Sequence, residues 1–138
     1  MRANSDNLAA IFTPKSVAVI GASTSPEKLG FQILKNIRDA GFKGPIYPVN
    51  PKATSILDLR CFPSIAAVEG APELAVIIVP AGTVPATLAA CGAKGVKGAI
   101  VISGGFSESG PEGESLQRQA LEVAREHKIR MVGPNCQG

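Results

Sequence analysis

The 138-residue sequence has no tryptophan and a single tyrosine. Its core must therefore be assembled from Val, Ile, Leu and Ala, the composition of a parallel sheet buried on both faces. Long hydrophobic runs are absent as well. None approaches the roughly 20 residues needed to cross a bilayer, and the opening Met1-Arg2-Ala3-Asn4-Ser5-Asp6 lacks the basic-then-apolar order of a signal peptide. Cysteines are few and odd in number. Cys61, Cys91 and Cys136 stand far apart and form no C-x-x-C pair, which argues against a disulfide framework or a zinc site and for a reducing, cytoplasmic setting. Charge is sparse: charged residues make up 18% of the chain, with 14 Lys and Arg against 11 Asp and Glu. The resulting +3 suits an anionic small ligand and is too small and too scattered for a nucleic-acid surface.

What is present is an alternation of strand and helix patterns. Strands are expected at 16–21, 45–49, 73–79, 97–102 and 129–132. A short helical lead-in falls at 8–12. The next helix is expected to start near Ser25 as N-cap, with Pro26 in its first position and Gly41 at its end. Further helices are expected at 84–91 and 111–128. In the last, Glu112 and Glu114 precede Arg125, His127 and Lys128, the charge order that a helix dipole favours. Five short strands separated by helices predict a Rossmann-like, doubly wound, five-stranded parallel sheet in three α/β/α layers, forming a single domain.

Ligands of such sheets bind beyond the carboxyl ends of the strands, where the winding reverses. Those ends are the segments 21–25, 50–52, 79–82, 103–106 and 133–138, all rich in Gly, Pro and short polar side chains. The first loop is the best candidate for a phosphate. Ser23, Thr24 and Ser25 offer hydroxyls beside the positive end of a helix, and Gly21 and Gly30 allow close approach. A dinucleotide fingerprint is missing. It requires G-x-G-x-x-G and an acid about 20 residues on, whereas the next glycine after Gly21 is Gly30 and the second strand ends in Asn50-Pro51-Lys52. A lysine there suits NADP or an adenosine 3′-phosphate of the kind coenzyme A carries, and the glycine spacing counts against NADP. No catalytic or metal-ligating residue emerges. His127 reads as a surface residue in a last helical turn, Cys136 as a small residue in a tight turn, and Glu108 as a loop acid.

Five segments, in order, carry a family resemblance: "PKSVAVIGAS" (Pro14 to Ser23), "IYPVNPK" (Ile46 to Lys52), "LAVIIVPA" (Leu74 to Ala81), "KGVKGAIVISGGFSESG" (Lys94 to Gly110) and "IRMVGPNCQG" (Ile129 to Gly138). Together they resemble the N-terminal CoA-binding domain of NDP-forming acyl-CoA synthetases, the superfamily of ADP-forming acetate–CoA ligases and the succinyl-CoA synthetase alpha subunit. The resemblance implies CoA or acyl-CoA as ligand. Ser23, Thr24 and Ser25 would hold phosphate and Lys52 would meet the nucleotide phosphates. Val79 and Pro80 would flank the adenine or the pantetheine, and Ile102, Ser103 and Gly104 would line the pantetheine arm. The first loop is longer than its counterpart in the succinyl-CoA synthetase alpha subunit.

In that family a phosphoryl group passes through a histidine in the next domain, and an ATP-grasp unit handles the nucleotide. Both would be partners, as domains or subunits outside this chain. The chain is thus expected to stop before a second, catalytic domain and to be inactive alone, with neither nucleic acid nor membrane as partner. Two other readings stay open at this point: a CoA- or nucleotide-sensing regulatory domain of a GNAT-type acetyltransferase, and an NAD(P)-binding Rossmann domain.

Overall fold

The computed structural model describes residues 10–102 and 110–133. In chain order it contains β1 (Val17–Ile20), α1 (Leu29–Asp39), β2 (Ile46–Val49), β3 (Ser55–Ile56), β4 (Leu59–Arg60), β5 (Leu74–Ile77), α2 (Val84–Lys94), β6 (Gly98–Val101), α3 (Pro111–Glu126) and β7 (Arg130–Val132). Five strands form one parallel sheet in the order β2-β1-β5-β6-β7. Val17 stands between Ile46 and Leu74, and Leu74 pairs onward with Gly98. The chain winds outward from β1 to β2, then crosses back over β1 to lay down β5, β6 and β7. The reversal lies between β1 and β5. The expected doubly wound α/β/α sheet is therefore what forms.

Strand periodicity assigns the two faces. Val17, Val19, Leu74 and Val76 pack with Leu34 of α1. Their alternates Ala18, Ile20, Ala75 and Ile77 pack with Val84, Leu88 and Cys91 of α2 and with Ala120 and Ala124 of α3. A helical turn at 10–12 extends the first face. Its Ile11 lies so close to Gly98 that a β-carbon there would come within 2.9 Å of Ile11 Cγ1.

The start of α1 corrects the sequence expectation. Ser25 does not cap the helix. The helix begins at Leu29, its N-cap is Lys28 in an extended conformation, and no side chain caps it. Ser25 instead closes a turn, its carbonyl accepting from the Lys28 N–H at 3.0 Å. Tertiary fit overrides the local signal, because Gly30 must sit against the end of β1. A β-carbon on Gly30 would overlap the Gly21 carbonyl oxygen, and one on Gly21, which holds φ +99°, would overlap the Ile78 carbonyl oxygen.

The β3–β4 hairpin was not anticipated. Its turn places Leu57 at φ 53° and Asp58 at φ 66°, values that Asn or Gly normally supplies. Arg38 at the end of α1 donates from Nη1 to the Leu57 carbonyl at 3.0 Å and so ties this turn to the helix. Among the described residues no helix is long and apolar enough to cross a membrane.

Burial also sets the state of the cysteines. Cys91 is fully buried, and desolvation pushes its thiol from an ordinary value near 9.0 up to about 12. The folded state thus keeps a proton that the unfolded chain releases above pH 9, so stability falls as pH rises from about 9 towards 12.

Two outcomes follow for stability measured by urea denaturation. Gly30→Ala should cost about 1–3 kcal/mol or more through overpacking, whereas Gly82→Ala, which meets nothing within 4 Å, should be within about 0.5 kcal/mol of wild type. Between pH 9 and 10.5, wild type should lose stability faster than Cys91→Ala by up to about 1.4 kcal/mol per pH unit. Parallel pH profiles for the two proteins would refute the burial argument.

Candidate functional site

Beyond the carboxyl ends of β1, β2 and β5 lies a cleft of about 360 Å³ at the point where the winding reverses. Its floor is Ile20, Gly21 and Ala22 from the end of β1. One wall is Val49, Asn50 and Pro51 from the end of β2, continued by Pro63, Ser64 and Ile65. The other wall is Val79 and one face of α2.

That face of α2 consists of Thr83, Ala86, Thr87 and Ala90, small residues at i, i+3, i+4 and i+7 starting from the N-cap. Such positions share one side of a helix. The adjacent stripe Val84, Leu88 and Cys91 is fully buried against the sheet. One helix therefore anchors itself with its large residues and opens a cavity with its small ones.

Asn50 organises the mouth. Its Nδ2 donates to the Ala22 carbonyl at 2.8 Å, tying the ends of β1 and β2 together. Its Oδ1 accepts from the Lys52 and Ala53 N–H groups at 2.7 and 3.1 Å, which folds the turn after β2. Its own N–H donates to the Phe62 carbonyl at 2.9 Å, which brings the segment after β4 alongside. Ser23 shapes the first loop similarly, its Oγ accepting from the Ser25 N–H at 3.0 Å while its own proton is left for donation.

The family model for a CoA binding domain matches residues 15–138. The chain belongs to this family. A CoA binding domain is what the five sequence segments resembled, and the relatives agree. The chain is 51% identical over 128 residues to acetate–CoA ligase [ADP-forming] II of Archaeoglobus fulgidus, covering 93% of this chain and 19% of the relative. It is 45% identical over 136 residues to acetate–CoA ligase [ADP-forming] I subunit alpha of Pyrococcus furiosus, covering 96% of this chain and 29% of that one. Among solved structures, the dinucleotide forming acetyl-coenzyme A synthetase 1 of Ca. Korarchaeum cryptofilum, in complex with phosphate and ADP, superimposes with a TM-score of 0.89 at 41% identity. That match covers 94% of this chain and 28% of the other. The chain thus spans less than a third of the length of these relatives.

The sequence-predicted residues of the CoA binding domain fall into four groups. Gly21, Asn50 and Val79 line the cleft. Ser23, Thr24 and Ser25 continue from its floor without lining it, and Lys52 and Pro80 are exposed one residue beyond lining residues. Gly30 is buried behind Gly21, and Ile102 is exposed at the end of β6. Ser103 and Gly104, like Glu108 and Cys136, lie outside the described residues.

Sequence reasoning missed the α2 face and the segment Pro63 to Ile65. The first had a signal, the i, i+3, i+4, i+7 run of small residues. The second had only a Pro-Ser dipeptide. Among the described residues no three His, Cys, Asp or Glu side chains converge.

Asn50→Ala removes three side-chain hydrogen bonds and should lower stability by about 1–3 kcal/mol. Asn50→Asp should be as damaging at pH 7, because an ionised oxygen then faces the Ala22 carbonyl. A protonated carboxyl donates where the amide did, so the deficit of Asn50→Asp, unlike that of Asn50→Ala, should shrink as the pH falls towards about 4. Denaturation midpoints of both variants across that range test the assignment.

Proposed function

We propose that this chain is the CoA-holding unit of an NDP-forming acyl-CoA synthetase, a ligase that makes acyl-CoA from a carboxylic acid, CoA and ATP through acyl phosphate. The phosphohistidine and the ATP-grasp unit belong to domains or subunits outside this chain. The observation that carries the reading is the location and lining of the cleft. It opens at the switch point of the sheet, between the first loop and α2, in a chain that belongs to the CoA binding domain family. The relatives favour this reading over a regulatory acetyltransferase fusion or a pyridine-nucleotide domain.

In this reading each part of the ligand meets chemistry suited to it. The hydroxyls of Ser23, Thr24 and Ser25 and the start of α1 receive phosphate. The exposed ammonium of Lys52 reaches the 3′-phosphate. The apolar walls take the remaining nucleotide surface, and Ile102, Ser103 and Gly104 guide the pantetheine arm. The domain's contribution to catalysis is positional: with the nucleotide end anchored, the thiol is delivered to an acyl phosphate formed elsewhere. The chain alone binds CoA or acyl-CoA and turns nothing over.

Calorimetry on the 138-residue chain tests this directly. CoA should bind, NADP should bind far more weakly or not at all, and dephospho-CoA should bind about two- to fivefold more weakly than CoA, as an exposed ion pair allows. Lys52→Ala should close most of that gap. Absence of heat with CoA would overturn the function. Equal affinities of wild type for CoA and dephospho-CoA would remove Lys52 from the 3′-phosphate.

A further inference from the structure

Two threonines give the cleft a polarity that none of the preceding assignments uses. Thr83 Oγ1 donates to the Pro80 carbonyl at 2.8 Å, and Thr87 Oγ1 donates to the Thr83 carbonyl at 2.8 Å. A carbonyl can only accept, so each hydroxyl has spent its one proton inside the protein. Both residues line the cleft. What their oxygens have left to offer a ligand is lone pairs alone. The first loop, which continues from the cleft lining at Ala22, has the reverse character: the Ser23 hydroxyl keeps its proton, and no side chain caps the N–H groups that open α1.

The cleft lining also includes the apolar Pro51, Pro63, Ile65 and Val79. A flat heteroaromatic ring fits such walls, with its faces apolar and its edge polar. The ring that ends CoA has one N–H donor group, the exocyclic 6-amine of adenine. An acceptor-only edge that faces the 6-position accepts that amine and repels the carbonyl oxygen that replaces it in hypoxanthine, whose new donor, N1–H, lies at the neighbouring ring position and points along a different line. Phosphate, which is all acceptor, is repelled from the same edge and directed to the first loop.

We infer that Thr83 and Thr87 form an acceptor-only edge that selects the 6-amino group of the CoA adenine ring and thereby fixes which way the ligand lies in the cleft. The inference rests on the CoA reading above. The other N–H groups of CoA are the amides of pantetheine, which carry the same donor chemistry. The test separates the two sources.

Affinities of the 138-residue chain are measured by calorimetry for CoA and for its 6-oxo analogue, in which hypoxanthine replaces adenine. Wild type should prefer CoA by at least about tenfold. Thr87→Val, close in shape but without the hydroxyl, should reduce this preference to about threefold or less while melting within a few degrees of wild type. Thr83→Ser, which keeps a hydroxyl able to bond the Pro80 carbonyl, should retain the preference. Adenosine 3′,5′-bisphosphate against its inosine counterpart repeats the comparison without pantetheine and should show the same preference and the same loss in Thr87→Val. Equal binding of CoA and its 6-oxo analogue by wild type overturns the inference and leaves CoA binding intact. So does a Thr87→Val effect confined to ligands that carry pantetheine, which would assign the threonines to the amides. Failure of wild type to bind CoA at all would instead overturn the functional reading beneath it.

Discussion

Where β1 ends, three backbones share a volume that one β-carbon would overfill. Gly21 turns there with φ +99° directly against the Ile78 carbonyl, and Gly30 lies against the carbonyl of Gly21 itself. Dispersion between the apolar faces pulls α1 onto the sheet, but this double contact sets how far along the sheet the helix sits. With α1 held so close, the connection from β1 has no room for a helix that starts at Ser25. Residues 25–28 close a turn instead, and the loop is left as a flat shelf at the end of the strand. The Asn50 amide then bonds the Ala22 carbonyl on that shelf at 2.8 Å. At Gly21 the cleft floor is thus bare backbone, held by two missing side chains and one amide, and backbone is the surface that lets a ligand approach most closely.

The degree to which this was legible in the sequence follows from the range of each determinant. The parallel strands were readable to within about two residues at each end, because a run such as Leu74-Ala75-Val76-Ile77 is buried on both faces and declares itself in composition. The doubly wound parallel sheet followed from the alternation of strand and helix, whereas the order β2-β1-β5-β6-β7 is read from the structure alone. The start of α1 was not readable. Ser25-Pro26 is a sound local cap signal, and it lost to a contact between residues nine apart in sequence whose importance depends on Ile78, a further 48 residues on. The β3–β4 hairpin was invisible for the opposite reason: Leu57 and Asp58 adopt left-handed conformations without the Asn or Gly that would announce them. The bond from Arg38 to the Leu57 carbonyl belongs to the packing that pins this turn, and it too is nonlocal.

The α2 face illustrates a different limit. Thr83, Ala86, Thr87 and Ala90 occupy helical spacing in plain sight, yet small residues on one side of a helix announce only that space is left, not what fills it. The meaning comes from what stands opposite. Across the cleft are Pro51, Pro63 and Ile65, delivered there by a segment that the Phe62 carbonyl holds to Asn50 at 2.9 Å. Residues singled out for their chemistry, such as Ser23 and Lys52, fall at the rim. Half of the residues that line the cavity are alanines, prolines and valines, whose placement matters more than their chemistry.

This division has a consequence for how such a domain serves a larger enzyme. A site made of main chain and small side chains, supported from beneath by fully buried Val84, Leu88 and Cys91, has few rotamers to lose when a ligand arrives, so little ordering cost is subtracted from affinity. It is suited to gripping the invariant part of a ligand and leaving the reactive part free. The described thiols of the protein, Cys61 and Cys91, are both buried, and desolvation raises both, Cys91 to about 12. In the proposed reading the reacting sulfur is therefore the ligand's own, carried at the far end of a flexible arm. On that proposal, the distance between the anchored nucleotide and that sulfur lets the chemistry sit on another domain while the grip stays here.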